Sequence, residues 1–290
     1  PYSPQPRHRS HLMRLLSLRG LVAGVMVVSP EVSAASSLPF RLQDLATGWR
    51  KARSTARLSE AWSAYQECDA RLVKDPEDPE LQLQTAESLL LWIRQRTDGN
   101  FLRFERGAIT TSDTPEYRRI WRTYAPTALG LLRQAEGQWR GRGNSRERAK
   151  VAFLHAEAFM YCSSARGICR AALRGDAVAF LSNAKPLLRE HERYRGGVGH
   201  IFMGAFYLGA PWPIYNAARA RRHFERARTI DPGSQRNHYC CGLSALACGD
   251  RDLARESFRA AVDSTIRSPE DAELEAFLRE QSGLALAVLE

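Results

Sequence analysis

Along most of the chain, apolar residues recur at three- and four-residue intervals between short polar breaks, a period that predicts helices. Residues 80–96, 114–139, 146–165 and 176–194 are the upstream candidates. The last three each open near Thr, Ser or Asp and are rich in Ala and Leu. No stretch alternates convincingly at period two, so no sheet is expected. Two segments interrupt the helical pattern. One is the polar, Gly-containing loop 98–113, which leads into a helix capped at Thr114. The other is Arg195-Gly-Gly-Val-Gly199. Loops as long as the first, in a helical protein, are functional or mobile.

Downstream the pattern repeats. Ala220, Phe224 and Ala227 recur as Ala254, Phe258 and Ala261, displaced by 34 residues at each position. A fixed period of this size predicts stacked helix pairs, each too small to bury its own apolar face. Met203-Gly204 and Tyr207 precede the first set, and Asp231-Pro232 follows it. Cys241-Gly242, Ala245 and Gly249 accompany the second. Gly204 and Gly242 permit close helix approach, Ala and Phe at i and i+4 share one helical face, and Pro232 cannot continue a helix. The two glycines are 38 apart because 209–215 lengthens the first inter-helix connection by four residues. These positions resemble the tetratricopeptide repeat. Ala64, Cys68 and Asp75-Pro76 are spaced like a degenerate earlier copy. The resemblance implies an all-α, TPR-like helix-hairpin array, an α-solenoid superhelix. It would occupy 35–290 as one helical-repeat domain, with clear repeats at about 198–232 and 236–266.

A second resemblance covers about residues 196–265. The run from Gly197 to Tyr207, then Ala210-Pro-Trp-Pro213, then the run from Ala220 to Ala227, is similar to the T-component proteins associated with TRAP transporters and to tetratricopeptide-like proteins of plastids. It implies binding of a small apolar ligand or of a transporter's substrate-binding partner. A cavity lined by Phe202, Phe206, Tyr207 and Trp212 would favour that reading.

The N-terminus differs in kind. Residues 1–30 hold no Asp or Glu, carry Arg7, Arg9, Arg14 and Arg19, and run into the apolar stretch 21–28, followed by Pro30 and Val32-Ser-Ala34. A basic region, a short apolar core and small residues make a cleavable export signal over 1–34, too short to span a membrane stably. Met13 could open a short bacterial signal, whereas the acid-free, Arg-bearing segment ahead of it fits the end of an organellar transit peptide. The chloroplast thylakoid lumen is the expected destination, with the bacterial periplasm as the alternative.

Charge and cysteines narrow the chemistry. The chain carries a net +10, of which 35–290 retain +7. The basic residues are dispersed around helices, as at Arg219, Arg221, Arg222, Arg226 and Arg228 about Glu225, rather than set on one face with stacking aromatics. No nucleic-acid partner is expected. Cys162 and Cys169 could close a loop if 163–167 forms a turn. Cys241 and Cys248 read as small packing residues, and no spaced Cys/His set points to zinc or to any other cofactor. No catalytic or phosphate-binding motif occurs. His200 follows a glycine turn without an identifiable partner, and His155 and Glu157, two apart, face different ways on a helix.

The expectation is a non-catalytic scaffold that binds a protein or peptide segment. On the tetratricopeptide geometry its groove would be lined by Ile201, Leu208, Trp212, Arg236, Tyr239, Leu243 and Leu246, with Ala205 between the first two. An enzyme of unrecognised type is the remaining class; it would show a polar pocket with a perturbed His or carboxylate.

Overall fold

A computed structural model describes residues 40–139, 143–167, 171, 174–264 and 271–290 of the 290, with backbone alone for 40–55 and 138–139. The expected export segment, 1–34, lies outside the described residues. Ten α-helices carry the described fold: α1 (Phe40–Leu72), α2 (Pro79–Arg96), α3 (Pro115–Trp139), α4 (Ser145–Arg166), α5 (Asp176–Arg189), α6 (Val198–Gly209), α7 (Ala217–Ile230), α8 (Gln235–Ala247), α9 (Arg251–Asp263) and α10 (Glu275–Leu289). The most extensive contacts are between helices consecutive in sequence. Among the described residues no helix is long and apolar enough to cross a membrane.

The helix starts follow local chemistry. The Asp78 side chain accepts from the amides of Glu80 and Leu81 with Pro79 at the first position, and Asn144 forms a reciprocal capping box with Glu147. Asn216, Ser234 and Asp250 cap the last hairpins in the same way. Helix α5 stops at Arg189, short of the expected Tyr194. Beyond it Arg195, Gly196 and Gly197 take positive φ in succession (45°, 62° and 84°), a turn no helix can absorb.

The expectation of no sheet is corrected. Inside 98–113 a two-stranded antiparallel hairpin pairs β1 (Arg103–Glu105) with β2 (Ala108–Thr110). Its two-residue turn, Arg106-Gly107, has φ of 51° and 83°, the primed geometry that short hairpins favour. Strands of three residues are too short to show alternation. The hairpin is fixed by non-local bonds: the Phe104 amide donates to Gln281 Oε1 of α10 at 2.8 Å, and Tyr239 Oη donates to the Leu102 carbonyl at 2.7 Å.

Two apolar clusters form the interior. The downstream cluster joins α6 to α10 and the hairpin, with Ala220, Phe224, Ala227, Ala254, Phe258 and Ala261 all fully buried. The glycines act as expected: a Cβ on Gly204 would stand 2.3 Å from Phe224 Cε1, and one on Gly242 would stand 2.6 Å from Phe258 Cε1. The upstream cluster joins α2, α3 and α4 and relies on aromatics. Trp121 donates its indole N–H to Thr97 Oγ1 at 3.0 Å and stacks on Tyr161, while Trp62, Trp92 and Tyr124 meet edge and tilt at 4.8–5.8 Å.

Buried charge links the clusters. Arg94 on α2 makes a bidentate pair with Glu157 on α4 (2.7 and 2.8 Å) and a further pair with Glu273, just ahead of α10. Burial opposes the guanidinium charge, but the two carboxylates outweigh it and hold the Arg94 pKa above its ordinary value. Arg57 on α1 donates to the carbonyl of Ala272 at 2.9 Å, so the segment before α10 touches both α1 and α2.

Candidate binding cavity

Six of the seven residues expected to line a groove are packing residues here. Ile201, Leu208, Tyr239, Leu243 and Leu246 lie in the downstream cluster, and Arg236 is buried, donating to the Arg195 carbonyl at 2.7 Å with Asp271 3.8 Å away. Tyr239 is fully enclosed between Phe258 and Phe277, with ring centroids 6.0 and 6.1 Å apart. The cover is the chain itself, because α10 and the hairpin lie on the first-helix face that a free groove would expose. Only Trp212 is open to solvent, at 88% exposure, in the connection between α6 and α7.

Beside that connection lies an apolar cavity of about 210 Å³. Helix α6 contributes Phe202, Ala205, Phe206 and Gly209, the i, i+3, i+4, i+7 set of one face. The other face, with Ile201, Gly204 and Leu208, turns to the core. Helix α5 adds Ala177 and Phe180, α4 adds Met160, the hairpin region adds Leu102, and Pro211 and Ile214 come from the loop around Trp212. The rings brace one another, with Phe180 5.6 Å from Phe206 and 6.2 Å from Phe202. Leu102 belongs to the downstream cluster, whereas Met160 and Phe202 pack on the upstream one, so the cavity sits at their seam.

Polar groups also reach the wall: Asn100, Thr111, Asp113, Ser163, Ser164 and Asp176. Asn100 donates to Ser164 Oγ at 3.0 Å, and Ser163 donates to Asp176 Oδ2 at 3.1 Å. Each carboxylate is paired with an arginine, Asp113 with Arg118 and Asp176 with Arg166.

Of the four residues named for a ligand cavity, Phe202 and Phe206 line this one, Trp212 stands on the adjoining loop, and Tyr207 turns away to stack on His223 at 5.9 Å. Phe180, Met160, Leu102 and Asp176 were missed because they converge from three other parts of the chain, and no local spacing announces such convergence. No protein-family model matches the chain, and comparison with characterised proteins finds no match either.

His200 does have partners. Its Nδ1 lies 2.9 Å from His223 Nδ1 and its Nε2 lies 3.1 Å from Glu192 Oε1, while Arg226 grips Glu192 at 2.8 and 2.9 Å. Hydrogen bonds from Arg226 and His200 pull the Glu192 pKa down to about 2. Burial, then His200 and Arg222, push His223 down to about 4. Both nitrogens of His200 are thereby occupied. As expected, His155 and Glu157 part company: His155 lies 3.6 Å from Glu136, and Glu157 serves Arg94.

Among the described residues no group of three or more His, Cys, Asp or Glu is arranged to hold a metal. Cys162 and Cys241 are free and buried, and burial pushes their thiols up to about 11 and about 12, which makes them poor nucleophiles. Cys248 is exposed at the end of α8, a correction to its reading as a packing residue: it caps the helix, past the buried run that ends at Leu246. Residues 163–166 continue α4 instead of turning, and Cys169 lies outside the described residues.

Proposed function

We propose that this chain is a non-catalytic binding protein of tetratricopeptide-like helix-hairpin architecture, whose site is the cavity between α4, α5 and α6, and that a small ligand with an apolar body enters it. The observation that carries this reading is the cavity itself: about 210 Å³ of space walled by Phe180, Phe202, Phe206, Met160 and Leu102, with a few polar groups in the wall. Concave, mostly apolar space with sparse convergent polar groups is the usual form of a small-ligand site. The array assignment is supported by the glycine-on-phenylalanine contact that recurs in α6–α7 and α8–α9. The placement in an exported compartment, thylakoid lumen ahead of periplasm, rests on the sequence of residues 1–34 alone.

A protein partner remains a second reading, favoured by one observation. Trp212 stands 88% exposed between Pro211 and Pro213, where a partner seating an apolar side chain in the cavity would rest on it.

Saturation-transfer NMR with toluene tests the first reading. Wild-type protein should transfer saturation to toluene, and filling the cavity with Ala205→Trp, or more gently with Ala177→Leu, should abolish the transfer without loss of helical circular dichroism. No transfer to toluene from the wild type, or equal transfer from a folded filled variant, would overturn it.

A further inference from the structure

The cavity's charged wall is acidic, although the chain as a whole is basic. Asp113 and Asp176 are its charged lining residues, and no Lys, Arg or His joins them among the described residues. Asp176 is more than nine-tenths buried. Its Oδ2 accepts from Ser163 Oγ and from Arg166 Nε at 3.0 Å, while no described protein donor reaches its Oδ1. Asp113 accepts from Thr111 through Oδ1 and from Arg118 through Oδ2, which leaves lone-pair capacity on each oxygen. Arg118 and Arg166 neutralise these carboxylates but do not themselves form the wall.

We propose that the cavity selects amphiphiles by a hydrogen-bond-donating head: a small alkyl or aryl amine first, the corresponding alcohol second, with carboxylates and phosphates rejected. This selectivity presupposes the binding site proposed above. An ammonium or hydroxyl group can donate to Asp176 Oδ1, which gains the strength of a charge-assisted bond in a partly dry site. A carboxylate head would meet two carboxylates and, among the described lining residues, no cation, and would lose its water without replacement. The net +10 of the chain draws anions only at long range, where salt screens it. Size sets the body: a 150 Å³ apolar cavity holds one benzene, so about 210 Å³ suits roughly eight carbons or a single substituted ring.

Isothermal titration of the full chain with octylamine, 1-octanol and octanoate, at one ionic strength and neutral pH, separates the possibilities. Octylamine should bind at least tenfold more tightly than octanoate, with octanol between them. Asp176→Asn should weaken octylamine about tenfold and leave octanol within about threefold; Asp113→Asn, checked for an unchanged melting temperature, provides the same comparison should Asp176→Asn fail to fold. Octanoate binding as tightly as octylamine, or an unchanged amine-to-alcohol ratio in both folded variants, would overturn the head-group selectivity while leaving the cavity a binding site. If none of the three ligands binds, the binding site itself is wrong.

Discussion

The helices upstream and downstream of the cavity solve the same packing problem with different residues. Downstream, α6–α7 and α8–α9 each seat a phenylalanine against a glycine and fill the remaining contacts with alanine, so the solution repeats and the period shows in the sequence. Upstream, α1 to α4 use Trp62, Trp92, Trp121, Tyr124 and Tyr161 together with the buried Arg94–Glu157 pair, each in a place of its own. Small-residue contacts tolerate copying. A bulky aromatic or a desolvated charge has partners specific to one site, so no period shows upstream. The cavity lies where the two solutions meet and neither fills the space.

Breaking the upstream solution should have the largest effect. Arg94→Met leaves the buried Glu157 without its bidentate cation, while Glu273 keeps Arg195 at 4.0 Å, and should cost about 3–5 kcal/mol in urea denaturation. Adding Glu157→Leu should restore most of that loss, because an apolar pair needs no charge compensation. A single-mutant loss below about 1 kcal/mol would show that buried charge does not hold this half together.

The downstream solution should fail equally in its two copies. Gly204→Ala and Gly242→Ala each drive a methyl into a buried phenylalanine ring and should cost about 1–3 kcal/mol apiece. A large cost in one and none in the other would mean that the two hairpins are not equivalent. Tyr239→Phe, which removes only the hydroxyl bonded to Leu102, should cost about 1 kcal/mol and loosen the β-hairpin more than the helices, readable by amide exchange at Phe104.

How far the sequence was legible follows the same division. The helices around Phe224 and Phe258 and the Pro232 exit were readable because each depends on neighbours within a few positions. The hairpin escaped because its strands span three residues and its support comes from Gln281 and Tyr239, far along the chain. Periodicity shows that Tyr239 and Leu246 share a face but not that α10 returns to join them in one buried cluster. For the cavity, Phe202 and Phe206 were readable as one face of α6. Phe180 and Asp176 needed the fold.

A smaller effect concerns the histidine pair at α6–α7. His223 has its pKa lowered to about 4, so an unfolded chain takes up that proton first as pH falls. Its contribution to stability is therefore complete above about pH 6.5 and is lost progressively down to about pH 4. His223→Gln should flatten the fall in melting temperature across that window. His155, also lowered by burial, adds a slope common to both proteins, so the difference between them isolates His223. An identical fall in the variant would remove His223 from the pH response. The smallest effect is Trp212→Ala, which should shift stability by less than about 0.5 kcal/mol because the ring is exposed. A marked loss would mean that the ring is part of the fold.

A crystal of the protein grown with an ω-bromoalkylamine, with anomalous diffraction used to find the bromine, tests the binding site most directly. The bromine should lie among Phe180, Phe202 and Phe206, with the amine within hydrogen-bond reach of Asp176 Oδ1. Bromine density confined to other sites, while the amine still binds in solution, would contradict the assignment of this cavity as the place where the ligand sits.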